Sequence, residues 1–160
     1  MNLKIKVLAV AIIAAVITSC GGEGKKEDKV SAPVEEQKTV VEETDPLKDK
    51  GVGPITNITL DEIDQAKADE GKAIFTAKCT ACHKISKRLI GPALVGVTTR
   101  RSPEWIMNMI LNPEKMVAEN AIAKALLAEY VAPMANQNLT EAEARLVLEY
   151  FRTKTSAEDE

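Results

Sequence analysis

Beyond residue 60, apolar side chains recur at three- and four-residue intervals, the spacing of one helix face, and nowhere do they alternate as in a half-buried strand. Ile63, Ala66, Ala73, Ile74 and Ala77 predict a first helix running toward Cys79. Thr59 or Asp61 would cap it, with Asp61, Glu62 and Asp64 at the positive end of its dipole. Residues 85–99 contain Gly91, Pro92 and Gly96 without a sustained period and read as loop. Ser102-Pro103-Glu104 supplies an N-cap, a first-turn proline and a first-turn acid for a short helix ending before Asn112-Pro113. An Ala- and Leu-rich stretch, 114–131, predicts another helix. The last begins at Thr140, with Glu143 completing a capping box and Ala144, Val147, Leu148 and Phe151 forming its stripe. The expected fold is all-α.

The N-terminal third follows a different pattern. Lys4 and Lys6 precede an apolar run over 7–17, whose eleven residues are too few to span a bilayer but suit an export signal. It ends in Ile17-Thr18-Ser19-Cys20-Gly21, which resembles the lipobox of bacterial lipoproteins. That resemblance implies removal of 1–19 as a signal peptide and lipidation of Cys20. The alternative is an ordinary secretory peptide with Cys20 a spare thiol. Residues 20–60 mix Gly, Glu, Lys, Val, Pro and Thr with no helical stripe or aromatic residue, and read as a disordered, charged linker. The folded domain is then expected over 61–160. Loss of Lys4 and Lys6 would leave 19 basic against 24 acidic side chains, a net charge of minus five that argues against nucleic-acid binding.

Cys79-Thr80-Ala81-Cys82-His83 is a C-x-x-C-H sequence, the signature of covalent haem attachment, and it contains the only histidine of the chain. Two thiols separated by two residues can each reach a vinyl group of the macrocycle, while the adjacent imidazole swings under the iron as proximal ligand. A single haem c would also explain a core with only 3% aromatic residues, because the macrocycle is itself a large apolar plate. Other readings are weaker. A thioredoxin-like redox pair wants a preceding strand and a zinc site wants a fourth ligand, while a plain disulfide is conceivable in an exported protein.

With this motif in place, the stretch from Asp69 to Phe151 resembles the small monohaem class I cytochromes c. The resemblance is carried by Gly71-x-x-x-Phe75, Gly91-Pro92-x-Leu94-x-Gly96, a methionine before the final helix, and Leu148-x-Tyr150-Phe151 within it. It implies three to five short helices around the haem, the first and last crossing near Gly71 and Tyr150. It also implies that the Pro92 carbonyl accepts a hydrogen bond from His83, and that Met134, after Pro133, is the distal iron ligand.

Of the other methionines, Met107 and Met109 sit in an apolar helical run as core filling, and Met116 lies at a helix start. Trp105, Arg100 and Arg101 are candidates for haem propionate contacts, or else core and solvated surface. From Lys78 to Arg101 there are six basic residues, Lys78, Lys84, Lys87, Arg88, Arg100 and Arg101, and no acidic one. They form either a basic rim for an acidic patch on a redox partner or an ordinary solvated surface. The expected function is one-electron transfer without substrate catalysis, by a carrier exported and anchored to a bacterial membrane, its haem domain in the periplasm or at the cell surface. The carrier would run between a membrane donor and a terminal reductase or oxidase. The rivals are a haem protein with an open sixth position, such as a gas sensor or small peroxidase, and a fixed subunit of a larger oxidoreductase.

Overall fold

The computed structural model describes residues 45–156; the signal segment 1–19, Cys20 and the linker as far as residue 44 lie outside them. Among the described residues there is no strand, and the all-α expectation holds. Six helices follow one another: α1 (Gln65–Lys78), α2 (Val97–Arg100), α3 (Pro103–Leu111), α4 (Pro113–Glu119), α5 (Ala121–Tyr130) and α6 (Glu141–Arg152). That is one more than the upper expectation. The single turn α2 interrupts the stretch expected as loop, and the helix expected over 114–131 is broken at Asn120. Asn120 has an extended ψ of 129°, and its side chain caps α5 by accepting from the Ala123 N–H at 3.0 Å.

α1 starts later than expected, capped by Asp64, whose carboxylate accepts from the Lys67 N–H at 3.2 Å, rather than by Thr59 or Asp61. Its buried face also differs from the predicted stripe. Ala68, Gly71 and Phe75 are buried, whereas Ile63, Ala66, Ala73 and Ala77 are exposed and Ile74 is half-buried. The reason is the partner. α1 crosses α6 so closely that a Cβ on Gly71 would collide with the Leu146 carbonyl, so the contact face is selected for small volume rather than hydropathy. One turn further on, Phe75 packs on Tyr150 with ring centroids 5.5 Å apart and meets Phe151 edge-on. α6 agrees with its prediction: the Thr140–Glu143 capping box is formed, and Ala144, Val147, Leu148 and Phe151 are buried.

Residues 49–58, expected in the disordered linker, instead lie as an extended strap against α3 and α4, so the ordered domain begins about a dozen residues before 61. Polar side chains inside the fold hold it. Asn108 accepts from the Ile55 N–H at 3.0 Å and donates to the carbonyls of Lys50 and Ile55 at 2.9 and 2.8 Å. Buried Glu104 accepts from the Ile58 N–H, and the Met116 sulfur from the Val52 N–H at 3.0 Å. Ser102 caps α3 and donates to the Asp49 carbonyl, while the Asp49 carboxylate accepts from Asn120 at 2.7 Å. Val52, Ile55 and Ile58 pack onto the core between these anchors.

Glu149 on α6 is only 2% exposed. Its carboxylate accepts from Arg145 and Arg152 at 2.8 Å and from the Asp64 N–H at 2.9 Å, tying the start of α1 to α6. Burial opposes ionisation of Glu149, but the Asp64 N–H and the two guanidiniums outweigh it and hold its pKa below the usual carboxylate value. A depressed pKa contributes stability above the unfolded-state value, and that contribution is lost as pH falls through the folded-state one. Glu149→Gln should therefore cost on the order of 2 kcal/mol at pH 7. In denaturant melts the gap between variant and wild type should close as the pH is lowered below about 4; a gap independent of pH would contradict this account.

Candidate functional site

The helices enclose one large cleft lined mainly by carbon. Its walls come from the end of α1, the 90–94 segment, α3, α5, residues 132–139 and α6, and its empty space amounts to about 1500 Å³ including the open mouth. Phe75, Trp105, Ile110, Leu126, Val147 and Phe151 supply much of the apolar lining.

At the end of α1 the chain turns tightly. Cys79 is the C-cap, and its carbonyl accepts from the N–H groups of Cys82 and His83 at 3.1 and 2.9 Å. This turn brings Cys79, Cys82 and His83 to the cleft together. Neither cysteine is in a disulfide. Burial, helped by Cys82, pushes the Cys79 thiol up to about 11, so it stays protonated at neutral pH, the opposite of a redox-active thiolate. Among the described residues no three His, Cys, Asp or Glu side chains gather as they would around a zinc ion.

His83 Nδ1 lies 3.2 Å from the Pro92 carbonyl, the contact implied by the resemblance. Because a carbonyl only accepts, Nδ1 carries the proton and Nε2 keeps its lone pair. Burial lowers the His83 pKa, partly offset by the Pro92 carbonyl, so the ring is neutral and able to ligate a metal at neutral pH. Gly91 lies flat against the same ring. A Cβ there would run into Cε1 of His83, so the imidazole is clamped between the Gly91 backbone and the Pro92 carbonyl.

The methionines separate cleanly. Met107 and Met116 are core residues at 3% and 0% exposure, and the Met116 sulfur is already engaged by the strap. Met134 reaches the cleft from the segment between α5 and α6, and Met109, expected as core filling, also lines it.

Trp105, Arg100 and Arg101 border the cleft, but on different terms. The Trp105 indole N–H donates to Asn120 at 3.1 Å, which withdraws it from the donors expected for a propionate. Arg100 braces the carbonyls of Val95 and Ala93. Arg101 stacks over Trp105 at 5.3 Å, and its pKa is lowered by burial and by Arg100, with Asp49 opposing. Two adjacent guanidiniums at the edge of an apolar cleft are short of negative charge, a setting suited to a carboxylate. The strap, Asn120 and Tyr130 escaped the sequence reading. Asn108 and Glu104 within the otherwise apolar 103–111 run were the available sign of a buried polar partner.

The profile of the cytochrome c family matches residues 68–155, more than half of the chain. A cytochrome c-553-like protein of Synechocystis is 46% identical over 46 residues, 28% of this chain and 44% of that protein's length. A solved cytochrome c from Rhodothermus marinus superposes with a TM-score of 0.64 at 44% identity, covering 68% of this chain and 92% of that one. An engineered form of that cytochrome, bound to a carbene intermediate, gives a TM-score of 0.59 at 46% identity, covering 62% and 88%. Fold and site thus define a monohaem class I c-type cytochrome, and the chain belongs to the cytochrome c family.

One covalent haem c with its iron is the cofactor of this family. The cleft fits it: an apolar chamber, two cysteines beside a neutral imidazole, and a cationic pair at the edge. Gly91→Ala should displace the His83 ring at a cost of about 1–3 kcal/mol. The expected outcome is a severalfold drop in haem bound per protein, read from the reduced absorption spectrum against total protein; an unchanged ratio and spectrum would show that the Gly91 clamp is dispensable.

Proposed function

We propose that this chain is a one-electron carrier in which Cys79 and Cys82 hold the haem through thioethers, His83 Nε2 is the proximal iron ligand and the Met134 sulfur is the distal one. The observation that carries this reading is the convergence of the C-x-x-C-H turn and Met134 on one apolar cleft. The haem supplies the redox-active iron; the chain holds, orients and shields it. Pro92 fixes the tautomer of His83 and makes its ring more basic, Gly91 fixes its plane, and the apolar lining excludes water, so little reorganises when the charge at the iron changes. Arg100 and Arg101 neutralise the propionates. His/Met ligation leaves no coordination position for substrate, which favours transfer over catalysis.

The carrier is exported and anchored through a lipid on Cys20, with its haem domain in the periplasm or at the cell surface. It passes electrons from a membrane donor to a terminal reductase or oxidase. Because residues 49–58 belong to the folded domain, a tether from Cys20 would be shorter than the 20–60 interval, which raises the effective concentration of the haem domain near its partners.

An open sixth position, as in a gas sensor or small peroxidase, is the second reading, favoured by the irregular backbone around Met134. The two separate spectroscopically. The oxidised protein should show a near-infrared Met-to-iron band that vanishes in Met134→Ala, and carbon monoxide should bind the reduced variant at least about tenfold faster than wild type. A wild type that lacks the band and binds carbon monoxide fast and tightly would establish the open site.

The basic segment between Lys78 and Arg101 is the proposed docking rim for an acidic patch on the redox partner. Exposed Lys78 and Lys87 are the residues to reverse, because Arg88 is stacked on Tyr130. Lys78→Glu with Lys87→Glu should slow electron transfer to an acidic acceptor severalfold at low ionic strength, with the difference fading toward 1 M salt. Equal rates at low salt would exclude the rim.

A further inference from the structure

The segment that carries Met134 is unusually free of its own structure. It begins at Val131 and ends at Asn138, and these are the two non-glycine residues with left-handed backbone among the described residues, at φ 52° and 54°. A β-branched residue in that region is strained, and Val131, 83% exposed, has no packing to compensate. Between them the backbone makes no backbone-to-backbone hydrogen bond with any other described residue. One side-chain hydrogen bond joins the segment to the helices, from Asn136 to the Leu111 carbonyl at 3.2 Å.

A second tie lies at its root. Tyr130, the last residue of α5, lines the cleft, and the Arg88 guanidinium sits 4.2 Å from its ring centroid. Arg88 belongs to the loop that follows His83. That loop is itself fixed, because Leu89 N–H donates to the Gly91 carbonyl and Gly91 N–H to the Cys82 carbonyl at 3.1 and 2.9 Å. The Arg88–Tyr130 contact therefore joins the rigid His83 side of the cleft to the strained root of the Met134 segment.

We infer that Arg88 is a positioning residue for the distal ligand: by stacking on Tyr130 it latches the 131–138 segment closed and keeps Met134 on the iron. This rests on the reading of Met134 as ligand. A partly exposed cation–π contact of this kind shifts an open-to-closed equilibrium about two- to fivefold. The closed state does not need the tyrosine hydroxyl, only its ring.

The test uses the haem-loaded protein. Stopped-flow carbon monoxide binding to the reduced form reports opening of the segment, and the near-infrared Met-to-iron band of the oxidised form, followed on heating, reports its retention. Arg88→Ala and Tyr130→Leu should each raise the carbon monoxide on-rate about two- to fivefold and lose the band at lower temperature. Combined, they should add little to either alone. Tyr130→Phe should match wild type, Arg88→Lys should fall near it, and Lys124→Ala, which removes an exposed charge elsewhere on α5 without touching the ring, should change neither signal. The global unfolding midpoint of the exposed Arg88→Ala variant should stay close to wild type, separating a latch from general destabilisation. If Met134→Ala abolishes the band while Arg88→Ala and Tyr130→Leu behave as wild type, the latch is overturned and the ligand reading stands. If the band survives in Met134→Ala or is absent from the wild type, the ligand reading fails and the latch with it.

Discussion

The close crossing of α1 and α6 is the constraint on which the remaining architecture depends. With the Gly71 backbone set against the Leu146 carbonyl, no side chain separates the two helices at that level, and their relative position is fixed to within a fraction of a side-chain width. Phe75, Tyr150 and Phe151 then fill the divergence beyond the crossing. Because α1 ends in the Cys79 turn, this crossing also decides where two thiols and an imidazole stand relative to the cleft wall that α6 contributes.

Around that crossing, the fold uses buried polar groups as fasteners. Glu149 ties α6 to the first turn of α1, Asn108 and Glu104 hold the strap, and Asn120 breaks a helix, caps the next and binds both Trp105 and Asp49. Among the described residues no buried side-chain polar atom lacks a partner. Such groups add little net stability each, but they penalise alternative packings heavily, since misplacing one strands a buried donor or acceptor. For a protein with few aromatic residues, whose large central plate is a cofactor, that specificity keeps the cleft in shape.

The cleft applies the same logic to charge. Its interior is apolar around an uncharged His83, while the guanidiniums of Arg100 and Arg101 gather at its border. An uncharged apolar interior with cations at the edge suits an amphipathic macrocycle whose carboxylates face outward.

What the sequence determined by itself was everything governed by neighbours within about one helical turn. The Ser102-Pro103-Glu104 start of α3, the Thr140–Glu143 capping box, the α6 stripe and the C-x-x-C-H spacing are local geometry, and each stands in the structure as written. The contact of His83 with Pro92 was legible only through resemblance, because eight residues of irregular loop separate them. Tertiary structure alone decided the rest. The buried face of α1 answers to the closeness of α6 rather than to hydropathy, residues 49–58 are ordered by hydrogen bonds from side chains about fifty residues away, and Trp105 gives its N–H to Asn120 because a helix break presents that acceptor. Met109 and Met134 reach the cleft while Met107 and Met116 do not, although Met107, Met109 and Met116 all stand in helical sequence. Local patterns act through a single turn of backbone, whereas volume at a crossing and satisfaction of a distant polar group exist only once the chain has come together.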